Sequence, residues 1–177
     1  MKHVKPPQAK WRLKKTLARR VEVRAMEPND LKYLWAAYRK GADFGEAFVP
    51  DLDAAAFRER FEAISSGLSE GWIITADTKE GYRPAGVIFG AVAPLGAYLV
   101  IVSATWFPWA TKRNVLEGTV AFLNTVRRLP VIWYATDEHK RLYEVCCMHG
   151  IVRRVGTSFV VFPGRPAAVY ETRMPDK

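Results

Sequence analysis

From Ala85 to Thr111 the chain carries no charged residue, and this run limits the possible folds more than any other feature. As one helix it is long enough to cross a bilayer. Pro94-Leu95-Gly96 stands near its middle, however, and that tripeptide is a turn signal. The two pieces on either side are of strand length and rich in Val and Ile, as buried strands are. The run therefore predicts one hairpin of two buried strands, with no membrane partner.

Strands apolar along their whole length need cover on both faces, and the rest of the chain can supply it. Hydrophobic residues make up 49% and aromatics 12% of the sequence, which excludes a disordered chain. A length of 177 residues suits a single domain with a proper core. The net charge of +9 is unevenly spread. Residues 1–24 hold nine cations against one acid, Glu22, so +8 lies there and the body is near neutral. Residues 1–20 read as a basic arm on a domain spanning 21–177, and the arm is suited to nucleic acid or another polyanion. Cys146 and Cys147 are adjacent and staple nothing, so no disulfide framework is expected and a reducing, cytoplasmic interior fits. The charged N-terminus is not followed by the apolar run of about 7–15 residues that a secretory signal needs.

Along the body, Val21, Val23 and Ala25 alternate as a strand, and Pro28-Asn29-Asp30 opens a helix with Leu31, Leu34, Trp35 and Tyr38 on one face. Gly41 ends it. A second helix starts near Asp53, with Phe57, Phe61 and Ile64 facing inward. Strands are expected over 72–76, 86–93 and 98–106, with Asp77–Pro84 as the turn between the first two. A helix over 113–128 follows, then a short strand over 131–135 and a helix over 139–149 ended by Gly150. A closing hairpin over 158–162 and 167–172 turns at Pro163-Gly164-Arg165-Pro166.

This order of elements resembles the GCN5-related N-acetyltransferase (GNAT) family. Val23-Arg24-Ala25 before Asp30-Leu31 is similar to the family's opening, Ala85-Gly86-Val87-Ile88-Phe89-Gly90 to its third strand, and Trp106-Phe107-Pro108 to the step ending its fourth. The resemblance implies an α/β (α+β) fold: a mixed, mostly antiparallel sheet of about seven strands with about four helices on both faces. It also implies acetyl-CoA, held in a V-shaped cleft beside the fourth strand, with its pyrophosphate at the next helix N-terminus. The residues matched to that site are Trp106, Phe107, Pro108, Thr111, Lys112, Arg113 and Asn114. The family's phosphate loop carries glycines, whereas Thr111–Asn114 has none. Thr111 and Asn114 can cap a helix, and Lys112 and Arg113 can supply charge; a capped helix with two solvated cations is the alternative.

Many family members place a tyrosine before a Gly-Phe pair to protonate the departing thiolate, work for a donor of pKa about 8–10. Gly150-Ile151 matches that pair, which puts Cys146 at the tyrosine position and Tyr143 one turn earlier. Both also suit a core. Asp137 and Glu138, just past the fifth strand, are the candidate general bases, although Asp137 is equally suited to a cap. Glu46 and Asp51 are placed to line an acceptor cleft. Trp106 and Trp109 flank Pro108 and suit ligand stacking or packing. His139 and His149 lack partners at metal-ligand spacing, so no metal is expected.

Three functions follow. One is direct acetyl transfer from acetyl-CoA to a small-molecule or protein amine. Another is a non-catalytic virion or assembly role, because Trp106–Thr111 with Arg113-Asn114 looks like small bacteriophage-encoded members; the host cytoplasm or the virion, with virion-protein partners, would then be its place. The third is nucleic-acid binding through the arm.

Overall fold

A computed structural model of the chain describes residues 21–45, 47–66, 69–92, 99–126, 130–135, 137–162 and 164–172. The basic arm, Glu46 and the Pro94-Leu95-Gly96 turn lie outside the described residues. Among the described residues seven strands form one sheet in the order β1-β2-β3-β4-β5-β7-β6. In chain order these are β1 (Val21–Ala25), β2 (Ser69–Thr78), β3 (Gly81–Val92), β4 (Leu99–Trp106), β5 (Val131–Ala135), β6 (Val152–Phe162) and β7 (Arg165–Thr172). All neighbours are antiparallel except β4 and β5, which run parallel. Four α-helices are described: α1 (Leu31–Arg39), α2 (Ala54–Ser66), α3 (Lys112–Thr125) and α4 (Asp137–Met148).

Successive residues of a strand face opposite sides of its sheet, and β2 divides its apolar side chains accordingly. Ile73 joins Val87 and Phe89 under Leu34 and Ala37 of α1 and Phe57 and Phe61 of α2. Trp72 and Ile74 join Ile88, Leu99 and Ile101 under Phe122 of α3 and Tyr143 and Cys146 of α4. The uncharged run therefore becomes two central strands, β3 and β4, covered on both faces.

Several boundaries differ from the sequence reading. The turn expected over Asp77–Pro84 shrinks to two residues, because β2 continues to Thr78 and β3 begins at Gly81. Pro84, which lacks an N–H, sits in the strand at a register shift, and its carbonyl accepts from Trp109 Nε1 at 2.6 Å. The closing hairpin is longer than expected, with β6 beginning at Val152 and Arg165 and Pro166 already in β7. Three residues of β6, 159–161, lie opposite Pro166 alone, which leaves Phe159 and Val160 exposed.

Asp30 is 1% exposed yet fully engaged. The Arg24 guanidinium donates to both its oxygens, at 2.7 and 2.8 Å, and the Glu27 amide donates at 2.8 Å. This bidentate pair fixes the entry of α1 against β1.

Candidate functional site

The parallel pair β4–β5 is short. Leu99, Val100 and Ile101 are in register with Val131, Ile132 and Trp133, and there the pairing stops. At that point Val102 is left without a partner on β3, since Gly90 is opposite Ile101 and Phe89 opposite Ser103. Such a bulge bends its strand, and β4 runs on to Trp106 bonded to β3 alone. β5 instead follows β7 to Ala135. A gap thus opens between two parallel strands with its apex at Ile101 and Trp133. Two small residues in the core on the α3–α4 side, Ala104 and Ala135, belong to the diverging ends.

Helix α3 begins beside the free end of β4. Thr111 is its N-cap: the Thr111 hydroxyl accepts from the Asn114 amide at 3.1 Å, and Asn114 Oδ1 accepts from the Thr111 amide at 2.8 Å. Asn114 Nδ2 also donates to the Asp77 carbonyl at 3.0 Å, pinning the helix start to the end of β2. Thr111 and Asn114 are thereby committed to the cap. Arg113 is paired with the buried Glu117 one turn on, whereas Lys112 is exposed. The first-turn amides of Lys112 and Arg113 precede any intrahelical partner, and with the helix dipole they favour an anion.

The aromatic residues expected to touch a ligand are mostly packed. The Trp106 ring lies against Gly86 of β3 and Gly118 of α3; a Cβ at Gly118 would stand 2.8 Å from it, and one at Gly86 2.7 Å. Phe107 and Trp109 are each 2% exposed, in the core under α1 and α2. Arg83 stacks over the Trp109 ring at 3.9 Å, with Lys40 at 5.2 Å. Packing, the alternative left open for Trp106 and Trp109, accounts for both; Phe107 is packed as well, while Pro108 is exposed.

Tyr143 and Cys146 share one core, 2% and 1% exposed. The Tyr143 ring stacks on Tyr170 of β7 at 5.2 Å and meets Trp133 of β5, one side of the apex, at 5.5 Å. Burial raises the Tyr143 hydroxyl well above its ordinary value and pushes the Cys146 thiol up to about 11. Both stay protonated near neutral pH, so neither is a base or nucleophile there, and burial makes each a weaker acid than the range of about 8–10 that suits a thiolate. Beside them, Trp133 Nε1 and Tyr170 OH are buried donors without a hydrogen-bond partner among the described residues. Asp137 and Glu138 open α4, and only their backbone is described. Asp51 is exposed in the α1–α2 loop with φ 64°. Among the described residues no group of three His, Cys, Asp or Glu is placed to hold a metal, and no helix is long and apolar enough to cross a membrane.

A constellation that sequence reading missed lies on the other face of the gap. The Thr105 hydroxyl, on the free end of β4, donates to the Asp43 carbonyl at 2.8 Å. Asp43 also meets Arg165, the first residue of β7. These residues are 62 and 122 positions apart in the chain, so no local pattern joins them.

Solved structures share this architecture. A probable acetyltransferase (GNAT family) from Chromobacterium violaceum ATCC 12472 is 15% identical over 97% of this chain and 95% of that one, with a TM-score of 0.66. The aminoglycoside N-acetyltransferase AAC(6')-Ib11 is 16% identical over 86% and 96%, with a TM-score of 0.60. The spermidine/spermine N-acetyltransferase SpeG from Vibrio cholerae, in complex with manganese ions, is 10% identical over 88% and 93%, with a TM-score of 0.59. No family model and no curated protein matches the sequence. The fold is that of the GNAT acetyltransferases.

Proposed function

We propose that the protein is an acetyl-CoA-dependent N-acetyltransferase that transfers directly to an amine. The observation that carries this reading is the parting of β4 from β5 at Ile101 and Trp133, with the N-terminus of α3 beside the free strand end. An unpaired strand edge offers backbone donors and acceptors to an extended amide-bearing chain such as pantetheine. The first-turn amides of α3 and the Lys112 ammonium fit a pyrophosphate, in place of the glycine-rich loop that this chain lacks. Bound acetyl-CoA would supply a thioester whose departing thiolate needs a proton.

Tyr143, packed against Trp133 at the apex, is the proposed donor, with Cys146 as its neighbour on the same helix face. Trp133 Nε1 and Tyr170 OH, donors with no partner among the described residues, suit a site that receives an acyl carbonyl. Asp137 or Glu138, at the start of α4, would receive the proton from the acceptor amine, directly or through water. Trp106 holds α3 against β3, and Phe107 and Pro108 carry the chain from the strand end to the helix cap; their part in holding CoA is indirect. Two of the named structures are N-acetyltransferases, of spermidine/spermine and of aminoglycosides, which supports an amine acceptor here. The virion-assembly alternative gains no support from them.

Titrating acetyl-CoA into the purified protein tests the reading. Reversing the charges, Lys112→Glu with Arg113→Glu, is expected to weaken binding more than about tenfold, roughly 1.4 kcal/mol. A wild-type protein that gives neither heat nor a thermal shift with millimolar acetyl-CoA overturns it.

A further inference from the structure

Asp43 is held from three sides. Its carbonyl accepts from Thr105 at 2.8 Å, its Oδ1 accepts from the Gly45 amide at 2.8 Å, and its Oδ2 meets Arg165 Nη1 at 3.4 Å. The surrounding loop is itself tied down. Tyr38 OH donates to the Val49 carbonyl at 2.8 Å and accepts from the Leu52 amide at 2.7 Å, and Arg60 Nε donates to the Ala47 carbonyl at 2.9 Å. Asp43 is thus a fixed carboxylate, with its side chain 23% exposed.

Arg165 is the opposite kind of partner. It begins β7 just after the hairpin turn, and its side chain is 53% exposed. Its contact is longer than the roughly 2.7–2.9 Å of a strong charge-assisted bond. An exposed pair of this kind contributes little. Since Ala168 is in register with Ala135, the last residue of β5, Arg165 stands three residues beyond the end of that strand. Thr105 lies on the part of β4 that no longer pairs with β5. The Asp43–Arg165 contact therefore spans the mouth of the gap, from the β4 side to the β5–β7 side.

We propose that Asp43 is a binding site for the ammonium group of an aliphatic amine, and that Arg165 covers this carboxylate until such a cation displaces it. The fixed member of the pair stays and the weakly held one leaves, so the incoming group carries positive charge. That the bound amine is the acetyl acceptor rests on the acyltransferase reading above.

Calorimetric titration of diaminopropane into the full chain, without any acyl donor, tests the site. Asp43→Asn keeps the oxygen that accepts from Gly45, preserving the turn while removing the charge; affinity should fall at least about tenfold. Arg165→Ala should bind the diamine about twofold to fivefold tighter, because no exposed ion pair is then displaced. Glutarate, a dicarboxylate of similar reach, should not bind. The proposal is overturned if wild type takes up no diamine, if Asp43→Asn binds it as wild type does, or if glutarate binds and needs Arg165. A parallel titration with acetyl-CoA separates the two readings. Diamine binding that needs Asp43 in a protein that refuses acetyl-CoA keeps this site and ends the acyltransferase reading. Acetyl-CoA binding with diamine uptake indifferent to Asp43 does the reverse.

Discussion

Gly118→Ala is expected to destabilise the protein, although it replaces a mid-helix glycine by the best helix former. In an exposed helix that exchange gains about 1 kcal/mol. Here the new methyl would stand 2.8 Å from Ile74 Cγ2 and 2.8 Å from the Trp106 ring. Carbon atoms in favourable contact lie about 3.5–4.0 Å apart, so the methyl and each neighbour must part by roughly 0.7–1.2 Å. Ile74 is fully buried in β2 and cannot yield, which leaves the helix or the indole to move. Overpacking of this kind costs about 1–3 kcal/mol, more in this position because two neighbours are struck at once. After subtracting the helix gain, a net loss of about 1–2 kcal/mol remains, or a fall in Tm of roughly 2–8 °C for a chain of this size. Urea unfolding of Gly118→Ala, Trp106→Phe and the double variant measures it. The smaller ring removes the atoms that clash, so the double variant should be more stable than the sum of the singles predicts by about 1 kcal/mol. A Gly118→Ala protein as stable as wild type, or more so, would refute the claim that Trp106 fills the space between α3 and β3.

Other expectations follow from the same packing. Asp30→Ala removes three hydrogen bonds at the start of α1 and should cost about 1–3 kcal/mol in urea unfolding. If the protein is an active acetyltransferase, Tyr143→Phe should lower kcat roughly 10²-fold, and Cys146→Ser less; the opposite ranking moves the acid to Cys146. The folded state raises the Cys146 thiol from 9.0 to about 11. Its contribution to stability is present below about pH 9 and lost between about 9 and 11, at up to about 1.4 kcal/mol per pH unit, and the slope should flatten in Cys146→Ser. Removing residues 1–20 should abolish salt-sensitive binding to duplex DNA at low ionic strength, because the arm carries nearly all the net charge. Binding unchanged by the truncation would assign it to the body.

Local pattern sufficed for much of this architecture. The uncharged run with Pro94-Leu95-Gly96 inside it announces β3 and β4, Val131–Ala135 is legible as β5 to the residue, and the helical spacing of Phe57 and Phe61 marks α2. Thr111 and Asn114 are legible as a helix cap because capping depends on residues three apart. These signals survive in the sequence because each arises from neighbours along the chain. The hairpin at Asp77–Pro84 was misjudged for the complementary reason: Pro84 is tolerated in β3 only because a register shift and Trp109, 25 residues away, accommodate it. The same limit applies to the site. Whether Trp106 stacks on a ligand or packs depends on Gly86 and Gly118 lying across from it. Whether Tyr143 meets solvent or core depends on Trp133 and Tyr170. Where β4 leaves β5 depends on one unpaired residue, Val102, and the Asp43–Arg165 pair exists only because that divergence brings a loop and a hairpin to the same mouth. Hydrophobic period and turn chemistry act over a few residues and so can be read from the chain. Strand register, burial and long-range ion pairs are set by which distant segments meet, and only the folded arrangement decides them.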